Sequence, residues 1–168
     1  MHSAETRTRA STFDYIYMKE QRETVSVIDD LIETLKDGEQ GFKDAADSVK
    51  DPQLKSIFNE YSRQRSRFAS ELQRHARNLG ESEPETSSSA AGALHRGWIN
   101  LKSAVTGGDD YAILAECERG EDSAVEEYQK AMNDGLTARV SEIVSRQYNE
   151  IKKAHDHIKA LRDASKTS

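Results

Sequence analysis

The sequence predicts an all-α protein: a four-helix bundle with one long crossover that contains a short extra helix. Three observations carry that expectation. Apolar residues recur at alternating steps of three and four through four long segments, which keeps one seam of each helix facing its neighbours. Only 2 prolines and 9 glycines occur in 168 residues, few for the many turns of an all-β fold. The turns after the first and third segments are short, whereas residues 80–109 separate the second from the third.

Residues 1–18 lack such a stripe and are expected to form an N-terminal arm, either disordered or used to bind a partner or a second copy. The arm contains an aromatic cluster, Phe13-Asp14-Tyr15-Ile16-Tyr17. The bundle follows over 19–165. Its first helix, 19–50, carries Val25, Ile28, Ile32, Leu35, Glu39, Phe42, Ala46 and Val49. Asp51-Pro52 supplies an N-cap and a proline at the first helical position, so a second helix starts at once. Its stripe is Leu54, Phe58, Tyr61, Arg65, Phe68, Leu72, His75 and Leu79, and the short connection makes 19–79 an antiparallel hairpin.

Gly80 to Ser89 reads as a solvated loop, with Ser88 or Ser89 capping a short helix over 90–105. Leu94, Trp98, Leu101 and Val105 share one face of it, with Trp98 as the anchor to the bundle. Thr106-Gly107-Gly108 ends it, and Asp109 or Asp110 caps the third long helix. That helix, 110–133, carries Leu114, Glu118, Glu121, Val125, Tyr128 and Met132. Gly135-Leu136-Thr137 makes a tight turn, with Thr137 as cap. The fourth helix, 138–163, carries Val140, Val144, Gln147, Ile151, Ala154, Ile158 and Leu161 and completes the hairpin 110–163. A helix of about 25 residues spans roughly 38 Å. The crossover 80–109 is long enough to return along the bundle, so that the second hairpin starts at the end where the first one turns.

The two hairpins resemble each other. Gly38-Glu39 matches Gly120-Glu121, and Ser62-Arg63-Gln64 matches Ser145-Arg146-Gln147, at nearly the same offset, as an internal duplication of a helix pair would leave them. Glu39 and Glu121 fall within apolar stripes, where an unpartnered carboxylate is costly. Counting back from the turns brings Glu39, Gln64, Arg65, Glu121 and Gln147 to one mid-bundle polar layer, with Glu118 and Glu150 close enough to join. The first reading of this layer is structural, a set of Glu–Arg and Glu–Gln contacts that fixes helix register. The alternative is a di-metal site for iron or manganese with Glu39 and Glu121 bridging and Glu118 or Glu150 as further ligands, catalysing oxidation of Fe(II) by oxygen. Bundle di-iron sites use Glu-x-x-His on two of their helices, and neither Gln64…Arg67 nor Gln147…Glu150 supplies it. No cofactor is therefore expected on the first reading.

Other candidates are weaker. His155 and His157, two apart, point to different faces and read as solvated. His75 reads as a core-edge residue. Glu116 and Glu118 beside Cys117 should raise its pKa and dull it as a nucleophile. One cysteine excludes a disulfide framework and a Cys-rich zinc site. The 30 acidic against 24 basic residues, net −6, argue against nucleic acid as a partner. No apolar run approaches the roughly 20 residues that cross a bilayer, and the first residues lack the apolar core of a secretory signal. A cytoplasmic protein away from membranes is expected, acting as a homo-oligomer such as a dimer, or on a protein partner.

Several strings together, Leu35-Lys36-Asp37-Gly38-Glu39-Gln40-Gly41-Phe42, Ala93-Leu94-His95-Arg96-Gly97-Trp98, Thr106-Gly107-Gly108-Asp109-Asp110 and Glu116-Cys117-Glu118-Arg119-Gly120-Glu121-Asp122, carry a resemblance. Over about 22–163 the chain resembles a bacterial family of ferritin-like four-helix-bundle proteins carrying a domain of unknown function. The resemblance implies a ferritin-like fold in a bacterial cytoplasmic protein, and no established activity. The expected function is non-catalytic and stress-associated, exercised by self-association or through a protein partner, with iron or oxygen chemistry as the alternative.

Overall fold

The computed structural model describes residues 11–85, 98, 101–107 and 109–166, with Ser103 and Val105 described in backbone only. Among them are five helices and no strand: α1 (Thr12–Ser48), α2 (Pro52–Asn78), α3 (Leu101–Gly107), α4 (Asp110–Met132) and α5 (Ala138–Ser165).

Helix α1 begins seven residues before the apolar stripe suggests, so Phe13–Met18 are helical and the expected arm is shorter. Ser11 and Asp14 form a capping box: Asp14 N–H donates to Ser11 Oγ at 3.2 Å, and Ser11 N–H donates to Asp14 Oδ2 at 3.0 Å. These bonds satisfy orphan amides at the helix start without any apolar pattern. Residues 1–10 lie outside the described residues. At the other end Val49 turns extended, Asp51 accepts from Gln53 N–H at 2.8 Å, and Pro52 opens α2 as expected.

The described residues of the crossover touch α1 at successive points along the bundle. Glu85 N–H donates to Asp29 Oδ1 at 3.3 Å, and Trp98 packs beside Gly41 further along α1. The Asp110 carboxylate then accepts from Lys50 N–H (2.9 Å) and Asp51 N–H (3.1 Å), tying the start of α4 to the α1–α2 turn. Helix α4 is therefore parallel to α2. The described part of the short helix is Leu101–Gly107, and Trp98 is not itself helical. The expected Ser88 or Ser89 cap, Leu94 and His95 lie outside the described residues.

The α4–α5 turn is wider than the sequence suggested. Asn133 to Thr137 are non-helical, and Thr137 makes no side-chain cap. Its N–H instead donates to Thr24 Oγ1 at 3.2 Å, which marks one end of the bundle on α1. Ser145 Oγ donates to Met132 Sδ at 3.8 Å, so the first two turns of α5 run past the end of α4. The pairing between the two helices shifts accordingly, by about two turns.

Two apolar clusters fill the interior. Ile28, Leu31, Ile32, Leu35, Phe68, Leu72, Tyr128, Val144 and Ile151 belong to the one near the α4–α5 turn. Phe42, Ala45, Phe58, Ile113, Leu114, Cys117 and Ile158 belong to the one near the α1–α2 turn. Between them, at Gly38, Arg65 and Glu121, sits a polar layer.

Candidate functional site

The layer forms because α1 is bare at Gly38. A Cβ there would stand 3.4 Å from Arg65 Cγ, so the glycine leaves room for the Arg65 side chain to cross the interior. Arg65, 1% exposed, donates through Nη2 to Glu121 Oε2 and through Nη1 to Gln64 Oε1, and its guanidinium carbon lies 5.6 Å from the centre of the Phe42 ring. Glu121 is 0% exposed. Burial pushes its carboxyl above the usual range, against the opposing pull of Arg65. Arg65 Nε and Glu121 Oε1 have no hydrogen-bond partner, so the pair is closed but not fully satisfied.

Several of the residues expected in or beside this layer belong elsewhere. Glu39 is not in the interior: it pairs with Lys36 at 3.0 Å and is 31% exposed at its side chain. The α1 face that reaches the core runs Leu35, Gly38, Phe42, which puts Glu39 on its flank. Glu150 also faces outward, paired with Lys153 at 2.9 Å. Gln147 is buried, as expected, but in the neighbouring apolar cluster rather than beside Glu121. Its Oε1 accepts from Tyr128 O–H at 2.8 Å and its Nε2 donates to the Phe68 carbonyl at 3.3 Å. The overhang of α5 is the reason: its first two turns run past the end of α4, which brings His155 alongside Asp122 where a closely paired hairpin would have brought Gln147 near Glu121. Gln64 is half-buried and acts through Arg65.

The residues present do not fit a di-metal centre in the bundle interior. Such a centre needs several carboxylates and imidazoles converging on two cations. Here one carboxylate remains, a guanidinium cation occupies its side of the layer, and the amide of Gln147 is spent on Tyr128 and Phe68.

Next to the layer, Trp98 explains Gly120. Its indole is wedged between α1 and α4, where a Cβ on Gly41 or Gly120 would collide with the ring, and it meets Phe42 edge-on at 5.3 Å. The anchoring role expected of Trp98 holds, although the residue is not part of a helix. Cys117 is buried, and burial together with Glu121 and Glu116 lifts its thiol well above the ordinary range. It is a packing residue.

Along the α4–α5 edge, Glu118 is almost buried and faces the Arg162 guanidinium. His155, expected to be solvated, is 15% exposed at its side chain. Its Nε2 lies 2.5 Å from Asp122 Oδ1 and its Nδ1 3.0 Å from Asp156 Oδ1. Despite the cost of its burial, hydrogen bonds to Asp156 and Asp122 raise its pKa. His157 is exposed and bonds the Tyr61 hydroxyl at 2.6 Å. Asp122 escaped sequence reasoning. The signal was the four-residue step from Glu118, which places both carboxylates on one helix edge. His75 is half-buried; burial lowers its pKa, helped chiefly by Arg139.

These features define a ferritin-like four-helix bundle with a long crossover. A point mutant of Mycobacterium smegmatis Dps1 has the same fold, with a TM-score of 0.68 at 16% identity over 86% of this chain and 97% of that one. The chain belongs to the family defined by a domain of unknown function, DUF2383, whose sequence profile matches residues 23–134. No curated protein matches it. No described helix is long and apolar enough to cross a membrane.

Proposed function

We propose that this protein is a non-catalytic bundle that works by self-association through the N-terminal end of α1. The observation that carries this reading is an unpartnered continuation of the core face. Phe13 and Tyr17 lie about three and two turns before the buried Thr24, on the same side of the helix. Thr24 meets the α4–α5 turn, and Met18, Gln21 and Arg22 still line a cleft with Leu79 and Glu81 at the end of α2, so residues 12–17 project about 9 Å beyond the bundle. Phe13 is 85% exposed, Tyr15 63%, Tyr17 60%, and Ile16 and Met18 56% each. Phe13, Ile16 and Tyr17 share the side that continues the core face and expose on the order of 400 Å² of side chain there, while Tyr15 and Met18 face away. That lies within the range of the largest patches monomers carry, which are often functional, and is about half of the roughly 800 Å² each partner contributes to a stable interface.

The occupant is a second copy of this chain. The ten residues before Ser11 offer only Met1, Ala4 and Ala10 as apolar side chains, too little to cover this surface. A two-fold arrangement lets the same face meet itself and satisfies both copies at once. A cleft of about 350 Å³, lined by Met18, Gln21, Val25 and Leu79 at the base of the projection, gives the partner's helix end a seat.

The test is sedimentation equilibrium of the full chain up to about 100 μM. The wild type is expected to be a dimer, and Phe13→Glu/Tyr17→Glu a monomer with an unchanged helical circular-dichroism spectrum. A monomeric wild type, or a double variant that still dimerises, refutes the reading.

A further inference from the structure

The α4–α5 edge carries an arrangement that the self-association reading does not use. Glu118, Asp122 and His155 each bring one ligand atom to within 4.8 Å of the other two. Two come from one edge of α4, a helical turn apart, and the third from α5, so the set is held by packed helices rather than by a loop. One member is buried, one half-buried and one exposed. The set is thus anchored on the protein side and open to water on the other.

We propose that Glu118, Asp122 and His155 form a site for a single first-row divalent cation of the Mn²⁺, Fe²⁺ or Zn²⁺ class. A mixed set of two carboxylate oxygens and one imidazole nitrogen suits these ions, with water completing the coordination from the exposed side. This is a peripheral site, distinct from the bundle interior that Arg65 closes.

Two further observations bear on a ligand. Glu118 Oε2 is buried and ion-paired with the Arg162 guanidinium, so the site already holds a positive charge against this carboxylate, and a metal cation would take its place. Arg162 also holds Asp163 at 2.9 Å, so it has somewhere to stay when it releases Glu118. Asp156 takes Nδ1 of His155 at 3.0 Å. A carboxylate on the far ring nitrogen is the usual outer partner of a metal-binding histidine: it fixes the Nδ1–H tautomer and leaves Nε2 as the ligating atom. Nε2 is the nitrogen that faces Asp122.

The experiment uses the full chain, stripped with chelator and titrated with Zn²⁺ or Mn²⁺ alone by calorimetry, with Mn²⁺ occupancy checked by electron paramagnetic resonance. One ion per chain is expected. His155→Ala and Asp122→Asn should each weaken binding at least tenfold, and Asp156→Asn, a change at a positioning residue, about tenfold. Glu39→Gln and Glu150→Gln, which remove carboxylates elsewhere on the surface, should leave affinity unchanged. Circular dichroism confirms that each variant is folded. Absence of binding up to about 1 mM, or binding unaffected by His155→Ala and Asp122→Asn in folded protein, overturns the proposal. Because Phe13 and Tyr17 lie past the Thr24 end of the bundle, away from the Asp122–His155 contact on the α4–α5 edge, the double variant that abolishes the dimer should still bind the ion. Its failure to do so would mean that the two assignments are not separate, and would overturn the site as drawn.

Discussion

Arg65 and Glu121 are a charge pair taken out of water in a layer only one side chain thick. A buried pair gains its attraction at the cost of two desolvations, and removing one partner leaves the other charge stranded, a loss of about 3–5 kcal/mol. Arg65→Ala is therefore expected to destabilise the fold by about that amount in urea denaturation. Glu121→Gln behaves differently, because the amide oxygen can still accept from Arg65. Burial raises the Glu121 carboxyl above its unfolded value. The folded state thus holds its proton more tightly than the unfolded state. The stability this contributes is fully present below the unfolded pKa and is lost as pH rises through the folded one. Relative to wild type, Glu121→Gln should gain stability as pH rises from the unfolded carboxyl range upward. Denaturation midpoints for both proteins between about pH 4 and pH 8 check this. A gap that narrows in the opposite direction would show that Arg65, rather than burial, controls this carboxylate.

At the scale of elements, the crossover is held by a ring rather than by a helix face. Trp98 occupies a slot that exists only because α1 carries Gly41 and α4 carries Gly120. Glycine in a helix interior costs about 1 kcal/mol against alanine, and here the space it leaves is filled by the indole. Gly41→Ala and Gly120→Ala, which should help an isolated helix, are expected instead to destabilise the protein by about 1–3 kcal/mol through overpacking. Combining either with Trp98→Leu should recover part of the loss, and a double-mutant cycle in thermal unfolding measures it. The sequence announced Trp98 as an anchor and both hairpins by their periodicity, and the Asp51-Pro52 cap was legible. It could not show which residue on a stripe's flank faces inward. Glu39 and Gly38 differ by 100° around α1, and a three-four pattern admits either. The pairing across α4 and α5 depended on how far the start of α5 overhangs the end of α4. An error of two turns there exchanged Gln147 for His155 opposite the α4 carboxylates, so the candidate cation site stayed hidden until the helices were placed. The early start of α1 was encoded in Ser11-x-x-Asp14, a signal carried by caps and not by apolar spacing.

For the whole molecule, charge and apolar surface act in opposite directions. Each chain carries a formal −6, so two copies repel. The N-terminal part of α1 is itself nearly balanced, with Asp14, Glu20 and Glu23 against Lys19 and Arg22, so most of that repulsion acts between the bundles behind the contact. At physiological ionic strength it is screened beyond about 8 Å. Added salt should therefore strengthen the dimer, contrary to what an interface built on ion pairs would do. Association of folded chains also stabilises them by mass action, by about 1.4 kcal/mol per chain for a hundredfold rise in concentration. For a chain of this length that raises Tm by about 3–6 °C. The wild type should show this dependence in calorimetric scans at two concentrations, and more Tm at high salt. Phe13→Glu/Tyr17→Glu should show a Tm independent of concentration. Those side chains lie beyond the bundle end and support no part of its core, so a concentration-dependent Tm in the variant would place the interface elsewhere on the molecule.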